Sequence, residues 1–418
     1  MHLRYEQNAL APVLDDVERR RWLFANLSLD PVHREWLRQR AWIRTVHGST
    51  RIEGNTLSDL EVDRLLDGVG GRALPRKDAL EVLGTRSALE LVDELAARPD
   101  VELDQSVVRE IHRRVLAGQG KLLTPGEYRR GENRVGGADG EIIFTTPPSG
   151  DVPELMREFV SWVSDHADVP PPVLAAVGHL EFVAIHPFND GNGRTARGIS
   201  RLLLARGGYD LDGLVSLDAH LDAHRSDYFA AIRASIGRAY EPGYDATPFV
   251  LFFLGAITGA ADHLLARLRG LGEVQVKVRR DVIDGGLPPA MLDALAYAFI
   301  NRSLRAGEYR KVTGRTAPTT TRDLATAARL GYLVPEGSTR DRWYRLGPRL
   351  LETPAPGEPG DPREELPRSS THATDLFPGC VSSVTSEMRR LGDLSSPVSW
   401  LGCQTQVPVH AGRSGRHP

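Results

Sequence analysis

The sequence predicts a mainly α-helical protein with one short β-hairpin near its middle and a smaller helix-and-strand unit towards its C-terminal end. Three observations carry this. Apolar residues recur at helical spacing over most of the first 240 positions. Strand-like alternation is confined to two short places, 135–144 and 333–346. Between two helical stretches, residues 186–197 read His-Pro-Phe-Asn-Asp-Gly-Asn-Gly-Arg-Thr-Ala-Arg, a polar, glycine-rich loop.

Residues 1–95 form a first region, with helices expected at 15–26, 31–46, 58–66 and 76–95, Ser58 capping the third. Residues 96–240 form the second. It holds the hairpin (Val135, then Gly136-Gly137, then Ile142 to Phe144), a helix over 152–166 with Leu155, Phe159 and Val163 spaced four apart, and a helix over 173–185. It ends with the loop, a helix over 195–205 and a stretch over 217–232. A connecting helix is expected over 241–274. Residues 275–350 change character: helices over 288–301 and 319–330, the segment Gly307-Glu-Tyr-Arg-Lys311 between them, then strands at 333–334 and 343–346 around a turn from Pro335. Over 351–418, prolines 354, 356, 359, 362 and 367 precede a Ser/Thr/Gly/Pro-rich stretch without periodicity, so a disordered tail is expected.

Composition bounds the rest. A chain of 418 residues is long enough for a large core and an accessory domain. A net charge of −3 gives no global electrostatic case for nucleic acid or acidic membranes. The stretch 249–265 is apolar-rich but broken by Thr258, Asp262 and His263, so it reads as a core or interface helix and no membrane span is expected. Arg4, Glu6 and Asp15 leave no apolar leader segment. Cys380 and Cys403 both fall in the tail, so neither a disulfide nor a zinc site is expected in the core, and a reducing cytoplasm is the expected setting.

The loop carries the chemistry. It ends at a helix N-terminus, whose free N–H groups and dipole suit phosphate. Gly191 and Gly193 allow the backbone to approach an anion. Arg194 and Arg197, three apart on one helix face, can hold a polyphosphate by forked hydrogen bonds. His186, if unperturbed, titrates near neutrality and can accept a hydroxyl proton. Asp190 offers the single carboxylate a Mg²⁺ ion needs when phosphates supply its other ligands.

This run resembles the Fic family signature, His-x-Phe-x-(Asp/Glu)-Gly-Asn-Gly-Arg-x-x-Arg, at every fixed position. The resemblance implies a helical enzyme that moves AMP from Mg-ATP onto a hydroxyl of a target protein. His186 would be the general base, Phe188 the anchor of the loop and Asp190 the Mg²⁺ ligand. ATP would be bound by Gly191, Asn192, Gly193, Arg194, Thr195 and Arg197, with Val135 from the hairpin and Tyr228, in the region where the family brings an aromatic residue to the adenine. His220 and His224, four apart without a third ligand, read as surface histidines.

Upstream, residues 49–55 read Ser-Thr-Arg-Ile-Glu-Gly-Asn. Ser49, Glu53 and Gly54 resemble the family's inhibitory pattern (Ser/Thr)-x-x-x-Glu-(Gly/Asn). The resemblance implies a helix docked at the active site, with Glu53 pairing to Arg197 where the γ-phosphate would sit. The hairpin, preceded by Gly126-Glu-Tyr-Arg, resembles the family's flap, which pairs main chain to main chain with a target segment. Residues 275–350 resemble the winged-helix domain found after Fic cores, with Thr319, Thr320 and Arg322 where a recognition helix would read DNA. Arg310, Lys311, Arg315, Arg329, Arg340 and Arg342 add positive charge there.

The leading expectation is therefore an adenylyltransferase held off in cis by Glu53. The alternatives are a nucleotide-sensing DNA-binding regulator, or an enzyme that removes AMP at the same site with Glu53 orienting water. A homodimer is compatible with the sequence. The target protein is not legible in it.

Overall fold

The structure is a computed structural model and describes residues 4–68, 74–120, 123–136, 142–338 and 342–351. The Gly137 turn of the hairpin, Arg340, both cysteines and the tail from 352 on lie outside the described residues.

The chain opens with α1 (Gln7–Ala25) and α2 (Pro31–Ile52). Asp30 caps α2 by accepting from the N–H groups of Val32 at 2.8 Å and His33 at 3.3 Å. α1 starts well before residue 15, because Leu10 and Val17 share one buried face. α2 runs past residue 46 through Gly48, Ser49 and Thr50, weak helix formers on their own. Tertiary packing overrides that propensity: the Thr50 hydroxyl donates to the Val46 carbonyl, and a Cβ on Gly48 would lie 2.7 Å from the backbone of Asp218 and Ala219. α3 (Asp59–Leu66) begins with a Ser58/Glu61 capping box. α4 (Arg76–Ala96) and α5 (Gln105–Val115) follow.

β1 (Arg134–Gly136) and β2 (Ile142–Thr145) pair antiparallel, with Val135 opposite Phe144. The end of β2 is tied down: Thr145 donates to the Arg238 carbonyl at 2.9 Å and accepts from the Tyr240 N–H at 3.0 Å. Then come α6 (Val152–Asp165), α7 (Pro171–Ile185) and α8 (Asn192–Arg206). α7 is buried nearly all round, as expected of the central helix of a helical core. The stretch over 217–232 is broken at His224 into α9 (Leu217–Ala223) and α10 (Arg225–Ile236).

α11 (Thr247–Ile283) is longer than the connecting helix expected over 241–274, so the boundary at 275 falls inside a helix. By length and composition alone α11 could cross a membrane, but half of its most apolar stretch is buried, in keeping with the core or interface helix expected over 249–265. Phe249, Val250 and Phe253 join the main core around α7 and α8, while Leu264, Leu271 and Val274 join a second cluster. That second cluster holds Phe24 of α1 and Leu37 of α2 together with residues from the elements that follow: α12 (Met291–Asn301), β3 (Ser303–Arg305), α13 (Ala306–Thr313), α14 (Ala317–Arg329), β4 (Leu333–Glu336), β5 (Trp343–Leu346) and α15 (Pro348–Leu351). The sheet order is β3-β5-β4. β3 was not anticipated, being only three residues long. Pro335 lies within β4 rather than opening the turn, which its place on an edge strand allows.

Candidate active site

α7 stops at Ile185 because Pro187 cannot continue it. His186 caps it in the left-handed region, φ 51°, its N–H donating to the Phe182 carbonyl at 3.0 Å. Phe188 is fully buried and stacks on His112, centroids 3.6 Å apart and planes within 5°. The Gly126 N–H donates to His112 Nδ1 at 2.9 Å, so the other nitrogen carries the ring proton and donates to the Asp190 carbonyl at 2.9 Å. The Asn192 side-chain amide accepts from the Phe188 N–H at 3.0 Å and donates to the Phe188 carbonyl at 2.8 Å. Asn192 thereby closes the loop. α8 starts at residue 192 rather than 195, with Gly191 (φ 75°) before it. The first intrahelical bond runs from the Thr195 N–H to the Gly191 carbonyl, leaving the amides of 192–194 ahead of the ladder.

Two buried guanidiniums face this end of α8. Arg194 has Nε and Nη1 without a partner among the described residues, and Nη2 3.6 Å from Asp190 Oδ1. Arg197 donates from Nε to the Ser49 hydroxyl at 3.0 Å, and from Nη2 to the Ser49 carbonyl at 2.7 Å and Glu53 Oε1 at 2.8 Å. Its Nε also lies 3.3 Å from Asp218 Oδ1, an ion pair not aligned as a hydrogen bond, and its Nη1 makes no aligned hydrogen bond among the described residues. Burial opposes the Arg197 charge, but Glu53, then Tyr228 and Asp218, outweigh it and hold the guanidinium pKa above its ordinary value. Burial pushes the Asp218 carboxyl up, against the pull of Arg197. Glu53 ends α2 just before Gly54 (φ 94°). A Cβ on Gly193 would sit 2.2 Å from Glu53 Oε1, so the carboxylate rests directly on the first turn of α8, where an anion is favoured.

Burial, against the Val183 carbonyl and with help from the Arg129 charge, brings the His186 pKa down to about 4, Glu53 and Asp190 pulling weakly the other way. This corrects the expectation of titration near neutrality: the ring is neutral at cellular pH, with a lone pair free to take a proton. Asp190 is half-exposed, and its Oδ1 accepts from the Gly191 N–H at 2.6 Å. No group of three or more His, Cys, Asp or Glu side chains suited to a metal occurs among the described residues. A divalent cation therefore fits here through Asp190 only if phosphate oxygens complete its shell.

His186, Glu53, Gly193 and Arg197 line a cavity of about 430 Å³ together with Val135 and Phe144 of the hairpin. Tyr228, Phe229 and Ile232 of α10 line it too, Tyr228 close enough to interact with the Arg197 guanidinium. Tyr228 is 1% exposed and its hydroxyl is committed to His179 Nε2 at 2.7 Å, so it presents little more than a ring edge. Thr195 is fully buried with its hydroxyl on the Gly191 carbonyl at 2.9 Å, so its side chain serves the helix and does not reach the cavity. His220 and His224 are not simple surface residues: they stack at 4.2 Å, and a Cβ on Gly259 would lie 2.5 Å from the His220 ring. Sequence reasoning missed Asp218 and His112, neither of which carries a local motif. It quoted Arg129 without giving it a role.

Comparison with known proteins agrees with this geometry. Residues 102–204 match the model of the Fic/DOC family. The chain carries a Fic/DOC family domain. It is 36% identical over 176 residues to the protein adenylyltransferase Fic of Aedes aegypti, and 34% identical over 178 residues to that of Drosophila melanogaster. These matches cover 41% of this chain and 34% of each relative, so the chain matches about a third of the length of these curated relatives. Among solved structures, a Fic family protein from Desulfovibrio desulfuricans G20 aligns over 83% of this chain and 98% of its own, with TM-score 0.55 and 22% identity, a likeness of fold. Fic-1 from C. elegans aligns over 62% of this chain and 72% of its own, with TM-score 0.52 and 25% identity.

Proposed function

We propose that this protein is a protein adenylyltransferase that transfers AMP from Mg-ATP to a hydroxyl side chain of a target protein, and that Glu53 inhibits it in cis. The observation that carries the reading is the anion cradle. Arg197, the first turn of α8 and a neutral histidine line one cavity, a second buried arginine with open donors, Arg194, stands on the same turn of α8, and the anion seated there is a carboxylate of the same chain.

In the proposed reaction, Arg194 and the amides of 192–194 hold the α- and β-phosphates, and Arg197 holds the γ-phosphate once Glu53 has left. Mg²⁺ at Asp190 would neutralise phosphate charge. His186 takes the proton from the target hydroxyl. The hydroxyl oxygen bonds to the α-phosphorus, the bond to the bridging oxygen breaks, and pyrophosphate leaves. The imidazolium then returns its proton to water. Val135 and the hairpin would align the target chain over His186.

The same proposal assigns α2 as the inhibitory helix and residues 291–346 as a winged-helix unit. Tyr297 packs edge-on against Trp36 of α2 at 5.2 Å, which supports a packing role for that unit. The test is labelling from ATP labelled at the α-phosphate, in Glu53→Gly and in Glu53→Gly/His186→Ala. Label is expected in the first and absent from the second, with ATP still bound by both; equal labelling would remove His186 from the reaction.

A further inference from the structure

The Gly126-Glu-Tyr-Arg motif lies just before the hairpin and takes no part in the chemistry above. Its first residue orients His112, and its third, Tyr128, packs on Phe188 at 5.3 Å. Its fourth, Arg129, is 2% exposed and forms no ion pair among the described residues. Burial lowers its pKa against the pull of Glu132, which does not pair with it directly, so the buried guanidinium needs other acceptors.

What holds it is main chain. Nε donates to the His186 carbonyl at 2.9 Å, Nη1 to the Gly131 carbonyl at 3.2 Å and Nη2 to the Pro147 carbonyl at 2.5 Å. The Arg129 N–H donates to the Pro187 carbonyl at 2.9 Å. Gly131 precedes β1 and Pro147 follows β2, so one planar fork spans both legs of the hairpin and the backbone of the histidine. His186 stands at φ 51°, where a non-glycine residue is strained and must be held by its surroundings.

We infer that Arg129 is a positioning residue: it fixes the His186 backbone against the two legs of the hairpin, so that a hydroxyl carried by a chain paired to the hairpin arrives at the imidazole. The inference rests on the adenylyl-transfer reading for the identity of the reacting group. It assigns Arg129 no contact with ATP. Lysine has the charge but not the fork, and methionine has neither, so both should uncouple the hairpin from His186.

The test places Arg129→Lys and Arg129→Met in the Glu53→Gly chain. Three quantities are measured: affinity for a fluorescent ATP analogue with Mg²⁺, the self-labelling rate by intact mass, and hydrogen exchange. The expected result is little change in nucleotide affinity, a labelling rate at least about tenfold lower, and faster exchange in residues 129–147 and 186–191 together, with α4 and α11 unchanged. Added guanidinium ion should restore part of the rate to Arg129→Ala. Nucleotide affinity falling in step with rate, an unchanged rate, or exchange rising across the helices as well would overturn the inference. If the Glu53→Gly parent does not label at all, the adenylyl-transfer reading fails on its own account. Hydrogen exchange then decides alone: a joint rise in both segments upholds the strut, and a rise in one or neither removes it.

Discussion

At the scale of single residues, the arrangement around Arg197 makes sharp demands. The guanidinium answers to Glu53 on one side and to Asp218 and Ser49 on the other. Glu53→Gly removes one partner and leaves the others, so Arg197 should stay in place and receive a γ-phosphate. AMP transfer should rise at least about tenfold while total ATP affinity changes much less. Arg197→Ala also breaks the inhibitory pair, yet should stay inactive, because the triphosphate loses its clamp. It should further lower stability by about 3 kcal/mol, since Asp218 is left buried without its cation. Initial rates and urea midpoints of the two single variants and their combination check this. A double variant as fast as Glu53→Gly would show that Arg197 does not position the nucleotide.

At the scale of elements, the proposed inhibition depends on how closely α2 approaches α9. Gly48 is where the helices touch: a Cβ there meets only backbone atoms, of Asp218 and Ala219, and backbone cannot swing aside. Gly48→Ala should push α2 outward at a cost of about 1–3 kcal/mol, loosen Glu53 from Arg197, and partly release transfer with Glu53 still present. An activity equal to the parent's in a folded Gly48→Ala protein would mean that Glu53 is held independently of α2 docking. The same contact explains what the sequence concealed. Ser49, Glu53 and Gly54 were legible as a spaced pattern, but the last turn of α2 was not, because Gly48, Ser49 and Thr50 argue against helix until α9 is packed on them. The loop over 186–197 was legible because its polar residues are contiguous. Asp218 and His112 were not, because their partners lie 21 and 78 residues away in sequence.

At the scale of the whole molecule, the core holds titratable rings that cannot easily charge. Burial lowers the pKa of His47 and His220 to about 4, and of His179 and His263 to about 3. In the unfolded chain each takes a proton near pH 6.5, the ordinary value; in the folded chain each takes it only near 3–4. Their contribution to stability is therefore present above pH 6.5 and lost as pH falls towards 4. The carboxyls of Glu181 and Asp218, raised by burial, pull the other way and limit the slope. The thermal midpoint should be lower at about pH 5.5 than at about pH 7.5, and His179→Phe should flatten the difference. The order of helices and strands along the chain was largely legible. The sharing of a core between distant elements was not: Phe24, Leu37, Leu271 and Tyr309 meet in one cluster, and no periodicity within a segment reveals which other segment covers its apolar face.

The central claim is that one chain carries both the machinery for AMP transfer and the carboxylate that holds it off. The most direct test is intact-mass spectrometry of the parent and Glu53→Gly proteins after exposure to Mg-ATP, alongside labelling with ATP marked at the α- or the γ-phosphate. The account predicts an added AMP on Glu53→Gly, or α-label on a protein of a supplied lysate, with γ-label absent and the parent nearly silent. Label entering from the γ-phosphate, or no label from either position in a folded Glu53→Gly protein, would contradict it.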